Sequence, residues 1–499
     1  MVVLRVAGMS YTDAVHLFSL IRAGLVPHNL HLDFQVVDTV IDLFTETRVS
    51  AIICAPSAPM TASLQDHFKI HTIMELDKLP DIFLDDVQLP PIQNQGSGDD
   101  IVMIFNTTGS TSGRPKVVKS TRQWLDTNAR KELYSVQDGK QVALRVGSFS
   151  HMGQFIISLV QIKNAACIVL TPWINFTPDE LVYMIKECKI NVIHQFAAIL
   201  TRLLKAATTN PELTSALQSL KFIVHGGSSI GEEESNWAME HEIPLKNAFG
   251  LTETGMVMTS TMENNEVFYP LQLPGLKYEF WPVDETQDDL PRARILELVI
   301  LKESLDCPYP SSCDPVGGYY RSKDLFEEVH PGAYKYRGRL DDMIKMENAR
   351  LCDTKYIEDQ VSNSCKNLIS WCVVVGSGKP SPVLLVEPFS DSMDVDLLKE
   401  EIGKKVKLIN EDSYFHERIE PSHILVVPRG QLPRTTCINL VTLPLHIIDD
   451  YIVTPFIPNG VGRVDTDKFD RARVRILQER TVIEPLHRAF LRRLHEYHQ

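Results

Sequence analysis

IVMIFNTTGSTSGRPK, residues 101–116, joins an apolar run to a loop of small polar residues. Ile101 to Phe105 has the composition of a short buried strand. Asn106 to Lys116 then packs hydroxyls and glycines into one loop that ends on a lysine. Glycines let a backbone approach an anion, while hydroxyls, free N–H groups and a lysine charge hold phosphate oxygens. Such a run on its own is as readily an exposed loop; the strand before it and Pro115-Lys116 after it point to phosphate. It is not a Walker A loop, because no Gly-Lys-Ser/Thr closes it. The candidate phosphate contacts are Thr107, Thr108, Gly109, Ser110, Thr111, Ser112, Gly113 and Lys116.

Outward from this loop, short β-rich runs alternate with helical patterns, as a layered α/β fold requires. Strands are predicted at Val2–Val6, Ser50–Cys54, Ala166–Leu170, Asn191–His194, Phe222–His225 and Ile295–Leu301. Helices are predicted at Tyr11–Ala23, Glu180–Cys188 and Ala197–Ala207, and a polar turn at Gln287–Pro291. Past residue 341 the pattern changes. Trp371–Val375, the turn GSGKPSP and Val383–Glu387 read as a β-hairpin in a smaller α+β unit. The expected organisation is a large α/β domain over 1–340 and a small α+β domain over 341–499, joined by a hinge at Leu340-Asp341.

Composition sets outer limits. At roughly 150 residues per domain, 499 residues predict two to four domains. The formal charge of −14, from 50 basic and 64 acidic residues, argues against a nucleic-acid binder, which needs a basic face. Nine cysteines with no CxxC pair read as reduced thiols. No run approaches the roughly 18 apolar residues of a membrane span. Arg5, Asp13 and His16 interrupt what could pass for a secretory signal, and the C-terminal Tyr497-His498-Gln499 is not a peroxisomal address. The cytoplasm is the expected location.

Two more segments carry candidate chemistry. HGGSSIG (225–231) and NAFGLTETG (247–255) offer Gly226, Gly227 and Ser228 for close backbone approach to a ligand. Phe249 supplies a flat apolar face. Glu253 beside Thr252 sets a carboxylate next to a hydroxyl, a pair suited to Mg²⁺ and phosphate. A strand-to-loop exit with a capping threonine is the plainer reading. In GYYRSKDLF (318–326) and YRGRLDDMIK (336–345), Asp324 suits a ribose diol, because a carboxylate accepts from both hydroxyls. Asp341 and Asp342 read otherwise as an exposed turn.

The order and spacing of these segments resemble the acyl-adenylate-forming superfamily of acyl- and aryl-CoA ligases, non-ribosomal peptide adenylation domains and luciferases. The resemblance runs from about residue 2 to about residue 470. NTTGSTSGRPK looks like that family's phosphate loop with one residue more than the common form. FGLTETG is similar to its aromatic-Gly-x-Thr-Glu motif, Asp324 sits where the family keeps its ribose aspartate, and Gly338 to Asp342 match its hinge. The resemblance implies ATP and Mg²⁺, acyl-AMP formation from a small carboxylic acid, and transfer to the thiol of CoA or of a carrier protein's phosphopantetheine. It assigns Lys116, Thr252 and Glu253 to catalysis, with Mg²⁺ on Glu253. Phe249 is expected to stack adenine, with Asn247, Ala248 and Gly250 around it. Asp324 and Arg339 hold the ribose, and Asp341 is the pivot.

SFSHMGQ (148–154) is similar to the family's aromatic/His-x-x-Gly segment, which places His151, with Gly227, near the acid. The aspartate that amino-acid-activating members use is missing there, so an aryl or aliphatic acid is expected. Val117 replaces a common glycine, Ser322-Lys323 replaces Thr-Gly, and Asn348 replaces a frequent glycine, a mild change because Asn tolerates the left-handed region. The C-terminus departs most. LPRT (432–435) and PNG (458–460) look like two halves of the segment carrying the family's catalytic lysine, separated by the 22 residues Thr436–Ile457. So apolar an insert is unusual for an exposed loop and reads as an in-frame intron or gene-model error. Even rejoined, PNGVGR has Val461 at the lysine position. Arg463 or Lys468 is then the candidate substitute, although a guanidinium fork differs from an ammonium. The sequence preceding Val2 is shorter than usual, so the natural start is expected upstream of Met1. Two alternatives follow: an adenylation-domain fragment of a peptide-synthetase-like reductase, or a nucleotide-binding relic without turnover.

Overall fold

A computed structural model describes residues 1–432 except 7, 32–35, 56–57, 59–60, 74–95, 108–114, 132–140, 172–175, 229, 284–294, 349, 412 and 430–431. The expected turn at 287–291, the loop residues Thr108 to Gly113, the insert 436–457 and Val461, Arg463 and Lys468 lie outside the described residues.

The first layer is a sheet of β1 (Val2–Val6), β2 (Pro27–His31), β3 (Ala51–Cys54), β4 (Lys69–Thr72), β5 (Ile101–Thr107) and β6 (Lys116–Thr121), in the order β4-β3-β1-β2-β5-β6. All its pairings are parallel except β5 with β6. Helices α1 (Tyr11–Arg22), α2 (Val37–Glu46), α3 (Thr61–Leu64) and α4 (Arg122–Arg130) join these strands or follow them. Ser10 and Asp13 make a reciprocal capping box that starts α1 where the hydrophobic period begins.

The second sheet holds β7 (Val142–Arg145), β8 (Cys167–Leu170), β9 (Val192–Phe196), β10 (Phe222–Gly226), β11 (Leu245–Leu251), β12 (Gly255–Ser260), β13 (Val267–Pro270), β14 (Tyr278–Pro282), β15 (Ile295–Ile300), β16 (Tyr320–His330) and β17 (Ala333–Arg339). Their order is β14-β15-β16-β17-β13-β12-β11-β10-β9-β7-β8. The half from β8 to β11 is parallel, and from β11 onward the pairing is antiparallel. Parallel strands need crossovers, here α5 (Met152–Lys163), α6 (Pro178–Glu187), α7 (Ala197–Ala207), α8 (Pro211–Gln218) and α9 (Glu232–Glu240). Leu144, Ile193, Ile223 and Leu245 bury one face against α6–α9. Ala143, Val192, Val224 and Ala248 bury the other against α5 through Ile157. Strand β9 runs two residues beyond the expected His194, to Phe196.

After β17 a separate core forms around β18 (Ile344–Lys345), β19 (Leu351–Cys352), α10 (Thr354–Ser364), β20 (Ile369–Val375), β21 (Val383–Pro388), α11 (Val395–Glu411) and β22 (Ile424–Val426). The hairpin of β20 and β21 pairs Trp371 with Glu387 and Val375 with Val383. β22 adds to it in parallel. The molecule is thus a large α/β domain followed by a smaller α+β domain. Among the described residues no helix is long and apolar enough to cross a membrane.

Candidate active site

Thr107 and Lys116 are cross-strand partners at the ends of β5 and β6, so the phosphate-loop candidate is bracketed by a two-strand ladder. At its start, Asn106 Nδ2 donates to His28 Nε2 at 2.8 Å, and His28 Nδ1 meets Thr47 Oγ1 at 3.2 Å. Burial holds His28 near 4, against the Asn106 hydrogen bond, so the ring is neutral and Nε2 is free to accept.

β6 runs directly into α4, and α4 grips the Thr252–Glu253 turn from 130 residues away in sequence. Thr121 caps the helix by accepting from Trp124 N. Trp124 Nε1 donates to the Glu253 carbonyl at 2.9 Å, and Asn128 Nδ2 to the Thr254 carbonyl at 3.3 Å. Lys131 Nζ donates to the carbonyls of Met256 (2.6 Å) and Thr254 (3.3 Å) and pairs with Asp306 at 2.6 Å. Asp306 also accepts from Tyr278 and Ser304. Gly255 sits at φ +74 against Asn128, and a Cβ there would lie 1.9 Å from Oδ1, so helix and turn meet at a distance only glycine allows.

The braced turn presents a charged cluster. Glu253 accepts from the Tyr320 hydroxyl and lies in the fields of Arg339 and Lys116. Burial nevertheless raises its pKa, which means the surrounding cations do not fully compensate the lost hydration. Asp324 faces Arg339 across β16 and β17. It is 3% exposed, takes Arg339 Nη1 at 3.2 Å and accepts from Tyr336 at 3.1 Å. Burial works against the Arg339 charge, but Asp324, with Asp341 and Asp342, holds that guanidinium above its ordinary range. Arg339 Nε is buried with no hydrogen-bond partner among the described residues. Asp341 is a member of this network, salt-bridged to Lys323 at 3.0 Å and to Arg339 at 3.5 Å, so the exposed-turn reading is too plain.

β11 carries Asn247 to Gly250 past the cluster, with a register shift between Phe249 and Gly250 where it pairs with β12. Bulges of this kind re-aim side chains near sites. Asn247 is buried, and its N–H donates to Ser260 Oγ at 2.8 Å. Phe249 has Phe326 edge-on at 5.1 Å and Tyr336 tilted at 5.8 Å. Thr252, Glu253 and Gly250 are on one side of the bulge and Ala248 on the other. Ala248 is beside Gly226, where an added Cβ would meet the Ala248 carbonyl at 2.6 Å. Gly227 and Ser228 follow at the open end of β10. His151, at the N-terminus of α5, stands edge-on to Phe196 at 5.5 Å and has no hydrogen-bond partner for Nδ1 among the described residues. His151, Gly227 and the Thr252–Glu253 turn follow the carboxyl ends of the parallel strands β7, β10 and β11, where ligands usually bind in such sheets, while Asp324 and Arg339 come from the antiparallel β16 and β17.

Sequence reading passed over Trp124, Asn128, Lys131 and Asp306, which position the turn, and Tyr320 and Tyr336, which bond its carboxylates. The first three recur at helical spacing on one face of 122–131, a signal that could have been read. Asp306 carried none, because its partners are distant in sequence.

The Thr107–Lys116 strand ends, the braced Thr252–Glu253 turn and the Asp324–Arg339 pair come together on an α/β fold of two sheets and a smaller following domain. The AMP-binding enzyme family matches residues 2–291, and the AMP-binding enzyme C-terminal domain matches residues 341–441. The AMP-binding domain-containing enzyme iboA of Amanita muscaria is 30% identical over 444 residues, 86% of this chain and 85% of that protein. ATP-bound MatB from Rhodopseudomonas palustris shares the fold with a TM-score of 0.68 at 16% identity, over 87% of this chain and 85% of the other. The o-succinylbenzoate coenzyme A synthetase MenE from Bacillus subtilis, in complex with ATP and a magnesium ion, gives 0.65 at 14% identity, over 87% and 86%. The chain therefore belongs to the AMP-binding enzyme family, within the acyl-adenylate-forming superfamily.

Proposed function

We propose that the protein activates a carboxylic acid with ATP and passes the acyl group to a thiol. The observation that carries this is the convergence of Lys116, Arg339 and Tyr320 on Glu253 beside the Asp324–Arg339 pair. A carboxylate oxygen attacks the α-phosphorus, the bond to the bridging oxygen of the β-phosphate breaks, and pyrophosphate leaves with that electron pair. Lys116, Thr107 and the hydroxyls from Thr108 to Ser112 bind the phosphate oxygens as charge shifts among them. Phe249 stacks the adenine, Asn247, Ala248 and Gly250 line it, and Asp324 accepts from the ribose hydroxyls while Arg339 fixes its carboxylate. Gly226, Gly227 and Ser228 approach the nucleotide, and Gly227 with His151 bounds the acid.

Glu253 would hold Mg²⁺ with the phosphates; an under-compensated buried carboxylate suits one dication, whose charge would stabilise the leaving pyrophosphate. In the second half-reaction the sulfur of CoA, or of a carrier protein's phosphopantetheine, attacks the carbonyl. AMP leaves with the electron pair of the C–O bond, and the thiol proton passes to solvent. The small domain turns about Asp341 between the two half-reactions. The boundary at Leu340-Asp341 and a cytoplasmic setting are part of the same reading.

The test is acid-dependent ATP–pyrophosphate exchange with aryl and aliphatic acids, on the chain as given and on a version lacking 436–457. Exchange in either supports adenylation, and exchange only in the shortened version identifies the insert as foreign, which sequencing the mature transcript checks independently. ATP binding with no exchange in either version would replace this reading with a nucleotide-binding relic, for which Val461 at the lysine position is the motive.

A further inference from the structure

Arg145, the last residue of β7, is wholly buried. Its Nη2 donates to the Gln154 carbonyl at 2.9 Å and to Gln154 Oε1 at 2.5 Å. Its Nε and Nη1 have no hydrogen-bond partner among the described residues. A guanidinium does not shed its proton in a protein, so a buried one calls for an anion. Both Gln154 bonds are to neutral oxygens.

The place of this cation matters. Arg145 pairs in register with His194 on β9, and His194 with Val224 on β10. Two residues further along the same face come Phe196, Gly226 and Ala248. Phe196 touches His151, and His151 begins the helix whose Gln154 takes the guanidinium. Arg145 therefore lies buried directly behind His151, Gly226 and Ala248, on the same face of the sheet. Its charge is felt there, since after burial it is the second cause that lowers the pKa of His151, to about 4. A neutral His151 keeps one ring N–H and one lone pair for a ligand.

We propose that Arg145 reads a second carboxylate on the acid, so that the substrates of this site are dicarboxylic acids. The inference rests on the adenylation reading above. One carboxylate is presented at the mouth, beside Gly227 and the phosphates. The other reaches inward to the unpartnered guanidinium edge, with Gln154 holding the fork in plane and His151 lining the way. A guanidinium already stripped of water and fixed by two bonds pairs bidentately with a carboxylate at little reorganisation cost.

The experiment compares succinate, glutarate and adipate with their monomethyl esters, in pyrophosphate exchange and in calorimetric titration, on the full chain, Arg145→Gln and Arg145→Lys. The diacid should exceed its monoester by on the order of 100-fold in kcat/KM, the usual scale for a desolvated charge pair. Arg145→Gln should bring the ratio of diacid to monoester kcat/KM down to near one, whatever the absolute rates, and Arg145→Lys, charged but without the fork, should give an intermediate ratio. ATP titration and thermal melting verify that each variant is folded. Equal handling of diacid and monoester by the parent chain, or a parallel fall for both in the variants, would overturn the inference and leave Arg145 as a packing residue. Failure of every acid to drive exchange strikes the adenylation reading instead. The titrations then still decide, because diacid binding indifferent to Arg145→Gln overturns the second carboxylate by itself.

Discussion

The region from β15 to β17 around the Thr252–Glu253 turn and the end of β7 behind His151 share one sheet, yet they treat buried charge in opposite ways. In the first region the ion pairs among the described residues close within the chain: Lys131 with Asp306, Arg339 with Asp324, and the buried Glu297 with the half-exposed Arg321. Behind His151, Arg145 has two glutamine oxygens, and its Nε and Nη1 have no hydrogen-bond partner among the described residues. On the proposed reading, the site of the constant cofactor is built in advance from ion pairs that fix geometry, and that of the variable acid leaves polar edges for the ligand to complete.

The sharpest way to break the comparison is at Asp306. Asp306→Ala strands the Lys131 charge and should cost about 3–5 kcal/mol in chemical denaturation. Lys131→Met combined with Asp306→Leu should recover much of that loss, whereas Asp306→Ala unfolding like the parent chain would mean that α4 is held by packing alone. Next in size, Lys116→Ala and Glu253→Gln should each lower exchange on the order of 100-fold without moving the unfolding midpoint.

Histidines give a pH test of intermediate size. His28 and His225 are each lowered from 6.5 to about 4 by burial. The unfolded chain therefore binds more protons than the folded one between those values, and stability falls as pH drops through 6.5 and levels off near 4. Each should contribute roughly 2 kcal/mol of loss between pH 7 and pH 5. His225→Gln should flatten the melting-temperature profile by one histidine's share; an unchanged slope would mean that its ring is hydrated.

Trp124→Phe, which removes the N–H on the Glu253 carbonyl and part of a buried ring, should cost about 2 kcal/mol and lower exchange modestly. Smallest is Lys323→Gly. Lys323 stands where the family keeps glycine and adopts φ +63, a strained conformation that a glycine would relieve by about 1 kcal/mol. The same change frees Asp341 from its 3.0 Å salt bridge, so the net change in melting should be slight while the ratio of the two half-reactions shifts.

Much of the fold was legible in the chain because local signals agreed with the global one. Val2–Val6 and Ala197–Ala207 form the elements that their periodicity implies, and β20 and β21 flank the GSGKPSP turn. Ends were less legible. Whether β9 stops at His194 or Phe196 depends on pairing with β7 and β10, and Thr177 with Glu180 starts α6 before its apolar period does.

For the site, the motifs that mark the family were readable, since they fall on short segments in a set order. That determined the class of protein. Which groups hold those segments in place was settled only by tertiary structure. Lys131 meets Asp306 across 175 positions, and Arg145 becomes an unpaired charge only once β7, β9 and α5 have closed around it. Burial and partnership are properties of packing, and no local stretch of sequence contains them.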